Sequence, residues 1–533
     1  MRHLHYPLAA ALAAALATGA AAQDKPVKGG TLVWGLSAEA GTLDCGGTDT
    51  FAVIHTVAPF YSTLLRVNLD KYPEVEGDLA KSWTISQDGL TYSFDIHEGV
   101  TFHDGSPLTS EDIKASLDRY RNPPAGVPSF RKASFEDIAS IETPSPTKLV
   151  ITLKAPNPAM LLNLAGPNGC IYSAKKLAED PKFPITNVMG SGPFKFVKYE
   201  KGASIEGVRF DGYFKKDKNG TQLPYLDGFK GVVFSQPAAM INALQGGQIM
   251  GEFRTITPAQ KKTLQETAGD KLAFYESDWN TGLVLAFNTK KPPFDNVKVR
   301  QALSMAIDRF TAGKALSQQS ILKSVGGLVR PGAPYGAKPE ALKDLPGFNP
   351  DIKAAREKAK ALLKEAGVEN LKFELFNRST TQPYTPSGVY LIAQWKEIGV
   401  EVTHKQVETP AYREGIKTGS FDVALDFLNA VLEDPSLTLN KYLSSSRDST
   451  NGSGFEDKEA DALYDAQLRE TDPKKREALV RQFENRVITQ GAQTPFIWWY
   501  RTVALSKQVK GWKMSPSHLY GQDFGEVWLA QAK

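Results

Sequence analysis

The stretch of sequence that decides the fold is residues 283–307, LVLAFNTKKPPFDNVKVRQALSMAI. Its first six residues, 283–288, predict a strand. The residues that follow place apolar side chains at the i, i+3, i+4, i+7 and i+8 spacing of a buried helix face. These side chains are Val299, Ala302, Leu303, Ala306 and Ile307. A strand followed by a helix indicates α/β structure in this part of the chain.

Strands and helices continue to alternate after this stretch. Helices are predicted over 354–366, ending before Gly367, and over 389–398, ending before Gly399. Strands are predicted over 371–375, 400–407, 421–428 and 496–505. The short spacing of these elements implies crossover connections and a mostly parallel sheet with helices on its faces.

The chain before residue 280 has a different pattern. Residues 31–36 predict a short apolar strand, and short alternating strands dominate residues 82–153. Within that region, Thr109 and Asp112 form a capping-box-like start for a helix. This region is predicted to be α+β.

Length and composition restrict the class of protein. With 533 residues the chain is long enough for about three folding units. Hydrophobic residues make up 41% and charged residues 23%, which is typical of a folded globular protein and not of a disordered chain. The formal net charge of +4 provides no large basic surface, so no nucleic-acid partner is expected.

Residues 1–22 have the pattern of a secretory signal peptide. Arg2 stands near the start, a ten-residue apolar segment follows, and small residues precede Gln23. The apolar segment is too short to span a bilayer, which takes about 20 residues. We expect cleavage after Ala22, and no Cys stands there to receive a lipid anchor. The expected location is the periplasm.

The chain contains two cysteines, Cys45 and Cys170. An oxidising compartment would allow them to form a disulfide bond, and two buried free thiols are the alternative. The histidines show no His-Glu-x-x-His spacing and the cysteines no Cys-x-x-Cys spacing. We therefore expect no metal site and no cofactor.

Several segments together resemble a known family. They are, in chain order, 80–83 AKSW, 88–94 DGLTYSF, 99–105 GVTFHDG, 190–194 GSGPF, 283–288 LVLAFN, 293–303 PFDNVKVRQAL and 306–309 AIDR. Their combination is similar to the large extracytoplasmic solute-binding proteins of ABC importers, of the type that binds dipeptides, oligopeptides or nickel. The resemblance covers nearly the whole chain after the signal segment.

The resemblance implies an α/β fold with two hinged lobes, a ligand cleft between them, and an extra α+β domain inserted in lobe I. It implies lobe I over 24–60 and 186–275, the inserted domain over 61–185, lobe II over 276–492, and a return to lobe I over 493–533. Crossing strands near 278–282 and 494–496 would form the hinge. The implied partners are a small-molecule solute and an inner-membrane ABC permease complex, and a monomer is expected.

The expected ligand follows from a departure from the family pattern. Peptide-binding members carry an acidic residue after the strand that corresponds to 421–425, where it pairs with the α-amino group of the peptide. Val431 stands at that position and cannot neutralise a buried ammonium group. We therefore expect a neutral, sugar-like or aromatic solute. The alternative is a di- or oligopeptide held through Asp426 or Glu433.

The candidate ligand contacts combine aromatic side chains with polar ones. They are Thr48, Asp49, Asn168, Trp279, Asn280, Phe427, Asn429, Trp498 and Tyr500. Trp498 and Tyr500 alternate on the last long strand and share one of its faces, while Trp499 points to the other. Arg131 and Arg378 could meet an anionic group of a ligand, but an exposed surface position is the more common one for arginine and is expected for both.

An exported serine hydrolase or penicillin-binding-type enzyme is the competing class of function. Residues 173–176 and 320–323 match S-x-x-K, and residues 417–419 match K-T-G. K-T-G precedes the S-x-N sequence at 449–451, which is the wrong order for such enzymes, and no G-x-S-x-G sequence occurs. No catalytic residues are therefore expected.

Overall fold

The computed structural model describes residues 25–48, 50–380, 382–429, 432–448 and 451–530. The predicted signal segment lies outside these residues and stays a prediction. The strands are β1 (Thr31–Leu36), β2 (Leu65–Val67), β3 (Val75–Gly77), β4 (Ala80–Ile85), β5 (Thr91–Ile96), β6 (Ile138–Ser145), β7 (Lys148–Leu153), β8 (Phe194–Glu200), β9 (Ser204–Arg209), β10 (Gly228–Val233), β11 (Gly251–Glu252), β12 (Leu272–Phe287), β13 (Leu322–Ser324), β14 (Lys372–Arg378), β15 (Glu401–Val407), β16 (Val423–Asn429), β17 (Gln493–Ser506), β18 (Val509–Lys510) and β19 (Trp528–Leu529).

The helices lie between these strands and cover the sheets. They are α1 (Phe51–Val57), α2 (Ser110–Arg121), α3 (Met160–Leu164), α4 (Ala174–Glu179), α5 (Phe183–Thr186), α6 (Pro237–Gln245), α7 (Pro258–Ala268), α8 (Val297–Met305), α9 (Arg309–Leu316), α10 (Pro339–Leu342), α11 (Ile352–Glu365), α12 (Tyr384–Lys396), α13 (Thr409–Thr418), α14 (Pro435–Leu439), α15 (Lys458–Arg469) and α16 (Pro473–Gln490). Among the described residues, no helix is long and apolar enough to cross a membrane.

One mixed sheet connects two lobes. Its strand order is β15-β14-β16-β12-β17-β11-β1-β10-β9-β8, and β13 pairs with β17 off this path. We call the part with β1 and β8–β11 lobe I, and the part with β13–β16 lobe II. The chain enters lobe II along β12 and returns to lobe I along β17, so these two strands tie the lobes together.

The prediction of a mostly parallel sheet is wrong. β14 pairs in parallel with β15 and β16, but β12 is antiparallel to both β16 and β17. The reason is the connection between the lobes, since a chain that enters on β12 and leaves on β17 must run in opposite directions along them. The predicted alternation of helices and strands over 354–428 is present and also contains α13.

Residues 283–307 form the strand and the buried helix face that their sequence predicts. The strand at 283–287 is the end of the longer β12, and α8 follows it. Val299, Ala302 and Leu303 of α8 are fully buried in a cluster that also contains Phe287. Burying each of these apolar side chains stabilises the lobe by roughly 1–3 kcal/mol.

The inserted domain contains a separate antiparallel sheet in the order β4-β5-β7-β6. The α2 helix packs on it and begins at the predicted capping box, where the Asp112 carboxylate accepts a hydrogen bond of 2.8 Å from the Thr109 backbone N–H. The apolar core of this domain is continuous with that of lobe I. Leu432, from the loop after β16 in lobe II, is also buried in this core, so lobe II and the inserted domain are in contact.

Candidate ligand-binding cleft

The two crossing strands lose register where the lobes meet. β12 and β17 pair at Asp278–Tyr500 and next at Gly282–Trp498, so three residues of β12 lie opposite one residue of β17. A bulge of this kind redirects side chains out of the ladder and is frequent beside functional sites. The three residues are Trp279, Asn280 and Thr281.

Trp279 and Asn280, which the sequence nominates, both lie in this bulge and are each 1% exposed. The Trp279 ring lies 5.4 Å from the ring of Trp499 and 5.1 Å from that of His518. Its indole Nε1 has no hydrogen-bond partner in the described part of the chain. The Asn280 backbone N–H donates to the Pro516 carbonyl oxygen at 3.2 Å.

Arg254 extends from the segment after β11 in lobe I to the same place. Its guanidinium lies 4.4 Å from the Phe51 ring and 5.2 Å from the Trp279 ring, which is cation–π distance. Within the described ranges this guanidinium forms no ion pair, and its Nε has no hydrogen-bond partner. Burial lowers the pKa of Arg254, and the nearby Glu252 carboxylate opposes that shift.

Two buried histidines beside Arg254 carry no charge at neutral pH. Burial lowers the pKa of His55 to about 3 and that of His518 well below its usual range. The His55 Nε2–H therefore donates to the His518 carbonyl oxygen, at 2.8 Å. The positive charge on this side of the cleft comes from arginine and not from histidine.

Arg378 is the last residue of β14 in lobe II and is 8% exposed, so the prediction of an exposed surface arginine is wrong. Its guanidinium lies 4.8 Å from the Tyr384 ring, 4.7 Å from the Tyr412 ring and 4.6 Å from the Phe427 ring. Among the described residues it forms no ion pair, and its Nε is buried without a hydrogen-bond partner. Three aromatic rings thus surround a cation that forms no ion pair within the described part of the chain.

Tyr384 connects the two arginines. Burial raises the pKa of Tyr384 to about 12, while the positive charges of Arg378 and Arg254 both oppose the rise. Both guanidinium groups therefore act on the same phenol, one from each lobe. The Asp426 carboxylate also acts on it and raises its pKa, and the exposed Arg413 lowers it. The Tyr384 ring also lies 6.4 Å from the Trp499 ring, at the edge of the Trp279 cluster.

The two acidic residues considered for binding an α-amine already have cationic partners. The Lys441 Nζ lies 2.6 Å from Asp426 Oδ2, and the Tyr412 hydroxyl donates to Asp426 Oδ1 at 3.3 Å. Arg330 binds Glu433 with two hydrogen bonds, one of which is 2.8 Å from Nη2 to Oε2. Val431, on which the expected ligand depended, lies outside the described residues.

Asn168 joins the inserted domain to the loop that contains Thr48. Its side-chain Nδ2 donates to the Cys45 carbonyl oxygen at 3.0 Å and to the Thr48 carbonyl oxygen at 2.7 Å. Its Oδ1 is buried without a partner in the described part of the chain. The disulfide bond Cys45–Cys170 is present and fixes the same loop. Asp49 lies outside the described residues.

The remaining candidates fall in two environments. Phe427 contacts Arg378, as described above, and the backbone of Asn429 pairs with Thr281 of the bulge. Trp498 instead lies in the apolar core of lobe II, and its Nε1 donates to the Gly327 carbonyl oxygen at 3.1 Å. The Tyr500 hydroxyl donates to the Ser317 carbonyl oxygen at 3.0 Å. The side chain of β17 that reaches the Trp279 cluster is Trp499.

Sequence reasoning missed several residues of this cleft. Arg254 is an isolated arginine in a loop, and Phe51 starts a helix more than 200 residues earlier, so no local pattern joins them. Tyr384 and Tyr412 follow β14 and β15, and their position after strand ends is the signal that could have identified them. No group of His, Cys, Asp and Glu side chains within the described ranges has the arrangement of a metal site.

The family model described as "Bacterial extracellular solute-binding proteins, family 5 Middle" matches residues 74–450. Heme-binding protein A of Haemophilus influenzae is 28% identical over 479 residues, which cover 83% of this chain and 82% of the relative. The dipeptide-binding protein of Pseudomonas aeruginosa is 29% identical over 469 residues, which cover 82% of this chain and 84% of the relative.

The same architecture occurs in a solved structure. The binding protein AgaA of A. tumefaciens R10, in complex with agropinic acid, aligns over 95% of this chain and 99% of its own, with 25% identity and a TM-score of 0.75. The predicted two-lobed α/β fold is confirmed, and the predicted domain boundaries stay predictions. The chain belongs to the family 5 bacterial extracellular solute-binding proteins.

Proposed function

We propose that this protein is the periplasmic solute-binding component of an ABC importer, and that its solute is a short peptide or another amino-acid derivative with a free carboxylate. The observation that carries the ligand class is the pair of arginines in the cleft. Arg254 comes from lobe I and Arg378 from lobe II, and neither guanidinium forms an ion pair among the described residues; the buried Glu252 carboxylate acts on Arg254 without forming an ion pair with it. The loaded protein would deliver this solute to the membrane permease.

A carboxylate would complete the electrostatics of the cleft. Removing a guanidinium from water is costly unless an anion compensates the charge, and a carboxylate can accept two parallel hydrogen bonds from it. Because each lobe supplies one arginine, such a ligand interacts with both only when the lobes are closed. The ligand therefore binds the closed state more tightly than the open state, which is the requirement for ligand-driven closure.

The aromatic side chains suit the rest of such a solute. Phe51 lies in lobe I, Trp279 lies in the bulge between the lobes, and Tyr384, Tyr412 and Phe427 lie in lobe II. Flat rings of this kind pack against peptide planes and apolar side chains. The Trp279 Nε1–H, which has no partner in the described part of the chain, could donate to a ligand carbonyl.

The peptide alternative is better supported than the neutral, sugar-like or aromatic solute that Val431 favours. One relative is named a dipeptide-binding protein, and the AgaA structure contains an acid as its ligand. The alternative relied on Asp426 or Glu433 to bind the α-amine, but Lys441 and Arg330 already occupy these carboxylates. We therefore assign the larger part of the binding energy to the carboxylate end of the ligand.

Binding of chemically matched peptides tests this proposal. Di- and tripeptides are compared as free acids, C-terminal amides and N-acetyl derivatives by the midpoint of thermal unfolding. We expect free acids to stabilise the protein, by about 2.7 kcal/mol when present at a hundred times Kd. The C-terminal amides should lose most of this stabilisation. The N-acetyl derivatives should lose less of it, because Asp426 and Glu433 are already paired with Lys441 and Arg330 and are not available to bind the peptide amine. Stabilisation by neutral sugars alone would exclude the proposed ligand class.

An ion pair between lobe II and the inserted domain should contribute to closure. Arg469, at the end of α15, binds Asp137 through two contacts, Nη1–Oδ2 at 2.8 Å and Nη2–Oδ1 at 3.2 Å. Asn157 Nδ2 also donates to Asp137 Oδ2, at 2.9 Å, and orients the carboxylate. We expect Arg469→Gln to weaken ligand binding by a factor of about 1.4 to 5, since a partly exposed pair is worth roughly 0.2–1 kcal/mol.

The measurement is the dissociation constant of one stabilising peptide, and the double variant Asp137→Arg with Arg469→Asp should restore part of the affinity. The control is Lys298→Gln, which removes an exposed ion pair with Glu365 inside lobe II. An equal loss in Arg469→Gln and Lys298→Gln would show that the inter-lobe pair has no special role in closure.

A further inference from the structure

Arg131 is a buried cation in the inserted domain, at a distance in sequence from the two arginines of the cleft. It is 1% exposed, which corrects the prediction of a surface arginine. Its guanidinium lies 5.0 Å from the Phe135 ring, and its Nη2 donates to the Asn163 carbonyl oxygen. Gly166 leaves room for it, since a Cβ at that position would lie 3.0 Å from both Nη1 and Nη2.

The charge of Arg131 is not compensated within the described part of the chain. No carboxylate of a described residue forms an ion pair with it, and its Nε has no hydrogen-bond partner among those residues. Burial lowers the pKa of Arg131 to about 10, so the group is still cationic at neutral pH. Glu433 does not serve as its counterion, because Arg330 binds that carboxylate with two hydrogen bonds.

Other buried polar atoms of the inserted domain and of the returning segment of lobe I also lack partners among the described residues. They are the hydroxyl groups of Tyr72 and Tyr520, whose rings are 6.2 Å apart, and the Oδ1 of Asn168 on the loop that contains Gly166. Tyr520 is near both Arg131 and Glu433, since the charges of both act on its hydroxyl. Phe135, on which Arg131 packs, belongs to the same apolar cluster as Leu432 of lobe II. Arg131 also lies against Gly166, two residues before Asn168, which donates to the Thr48 carbonyl oxygen of lobe I.

Buried polar groups in folded proteins are nearly always hydrogen-bonded, so a cluster of unpartnered ones is a sign of an absent ligand. We propose that Arg131 is the centre of a second anion-binding subsite of the cleft, and that the solute carries a second acidic group in addition to the carboxylate at Arg254 and Arg378. The Tyr72 and Tyr520 hydroxyls would donate to the same acidic group. This inference rests on the proposed function and narrows its ligand class to acidic peptides or other amino-acid derivatives with two acids.

Peptide pairs that differ only in Glu and Gln test the second subsite. Dissociation constants are measured for di- and tripeptides with Glu or Gln at each position in turn. At one position the wild-type protein should prefer Glu over Gln by at least tenfold. Arg131→Met should reduce this ratio to about one while changing the Kd of the Gln peptide less than threefold. An unchanged ratio in the variant would overturn the proposal.

Gly166→Ala provides a second variant that keeps the charge. Its added methyl group would displace the Arg131 guanidinium, so the Glu preference should fall without loss of the cation.

If none of the peptides binds, sulfate is used as the probe. At constant ionic strength, sulfate should raise the midpoint of thermal unfolding of the wild-type protein more than that of the Arg131→Met variant. Equal stabilisation of the two proteins would refute the subsite. Amidation of the peptide C-terminus tests the carboxylate site at Arg254 and Arg378 and leaves the Arg131 subsite untested. The proposed ligand class and the proposed second subsite can therefore fail independently.

Discussion

Replacement of Arg378 by methionine is expected to weaken the binding of a free-acid peptide by at least thirtyfold. The methionine side chain fills part of the space between Tyr384, Tyr412 and Phe427 but supplies no charge and no donor. Removing one partner of a buried, hydrogen-bonded charge pair costs roughly 2–5 kcal/mol, and a thirtyfold change in Kd corresponds to about 2 kcal/mol. Isothermal titration of the two proteins with one peptide measures the effect.

The same substitution at Arg413 is the matched control. Arg413 is an exposed residue of α13, next to Tyr412 in sequence, and its charge also acts on Tyr384, so its loss controls for long-range electrostatics as well as for net charge. We expect Arg413→Met to change the Kd less than threefold. If Arg378→Met weakens the binding of the C-terminal amide as much as that of the acid, Arg378 acts by supporting the aromatic rings and not by binding the carboxylate.

Removal of the disulfide bond is expected to have the largest effect on stability. Cys45 and Cys170 are separated by 125 residues, and the bond joins a loop of lobe I to the inserted domain. In the chain-entropy model, a cross-link that closes a loop of this length stabilises the folded state by about 5 kcal/mol. The double variant Cys45→Ala with Cys170→Ala should lose a comparable free energy of unfolding, measured by urea denaturation.

Reduction of the wild-type protein is the control for this variant. Unfolding in the presence of dithiothreitol should give the same midpoint as the double alanine variant, because both lack the cross-link. Thiol titration of the unfolded protein without reductant should detect no free thiol. Two titratable thiols, or a midpoint that dithiothreitol does not change, would contradict a stabilising disulfide bond.

The fold could be predicted from the sequence where local patterns are regular. The buried face of α8 repeats at helical spacing, and the capping box at Thr109 starts α2 where the sequence indicates. The direction of β12 relative to β17 could not be read in the same way. The side-chain pattern of either strand does not indicate its direction, and their antiparallel pairing depends on how the chain passes twice between the lobes.

The site was harder to predict because its parts meet only in three dimensions. Trp279 and Asn280 were nominated because they precede a strand at the crossing, and they lie in the bulge there. Arg378 ends a strand, where an arginine is usually solvated, and its burial depends on rings from α12, α13 and β16. The alternation of side chains along β17 predicts that Trp498 and Trp499 point to opposite faces of the sheet. It does not predict which of these faces packs in the apolar core and which faces the cleft.

The central claim is that the two lobes close on a carboxylate, and the ratio of two dissociation constants tests it most directly. Isothermal titration of the wild-type protein with the best-binding peptide as its free acid and as its C-terminal amide gives this ratio. Because neither Arg254 nor Arg378 forms an ion pair among the described residues, the amide should bind at least thirtyfold more weakly. Equal affinities for the acid and the amide would contradict the account.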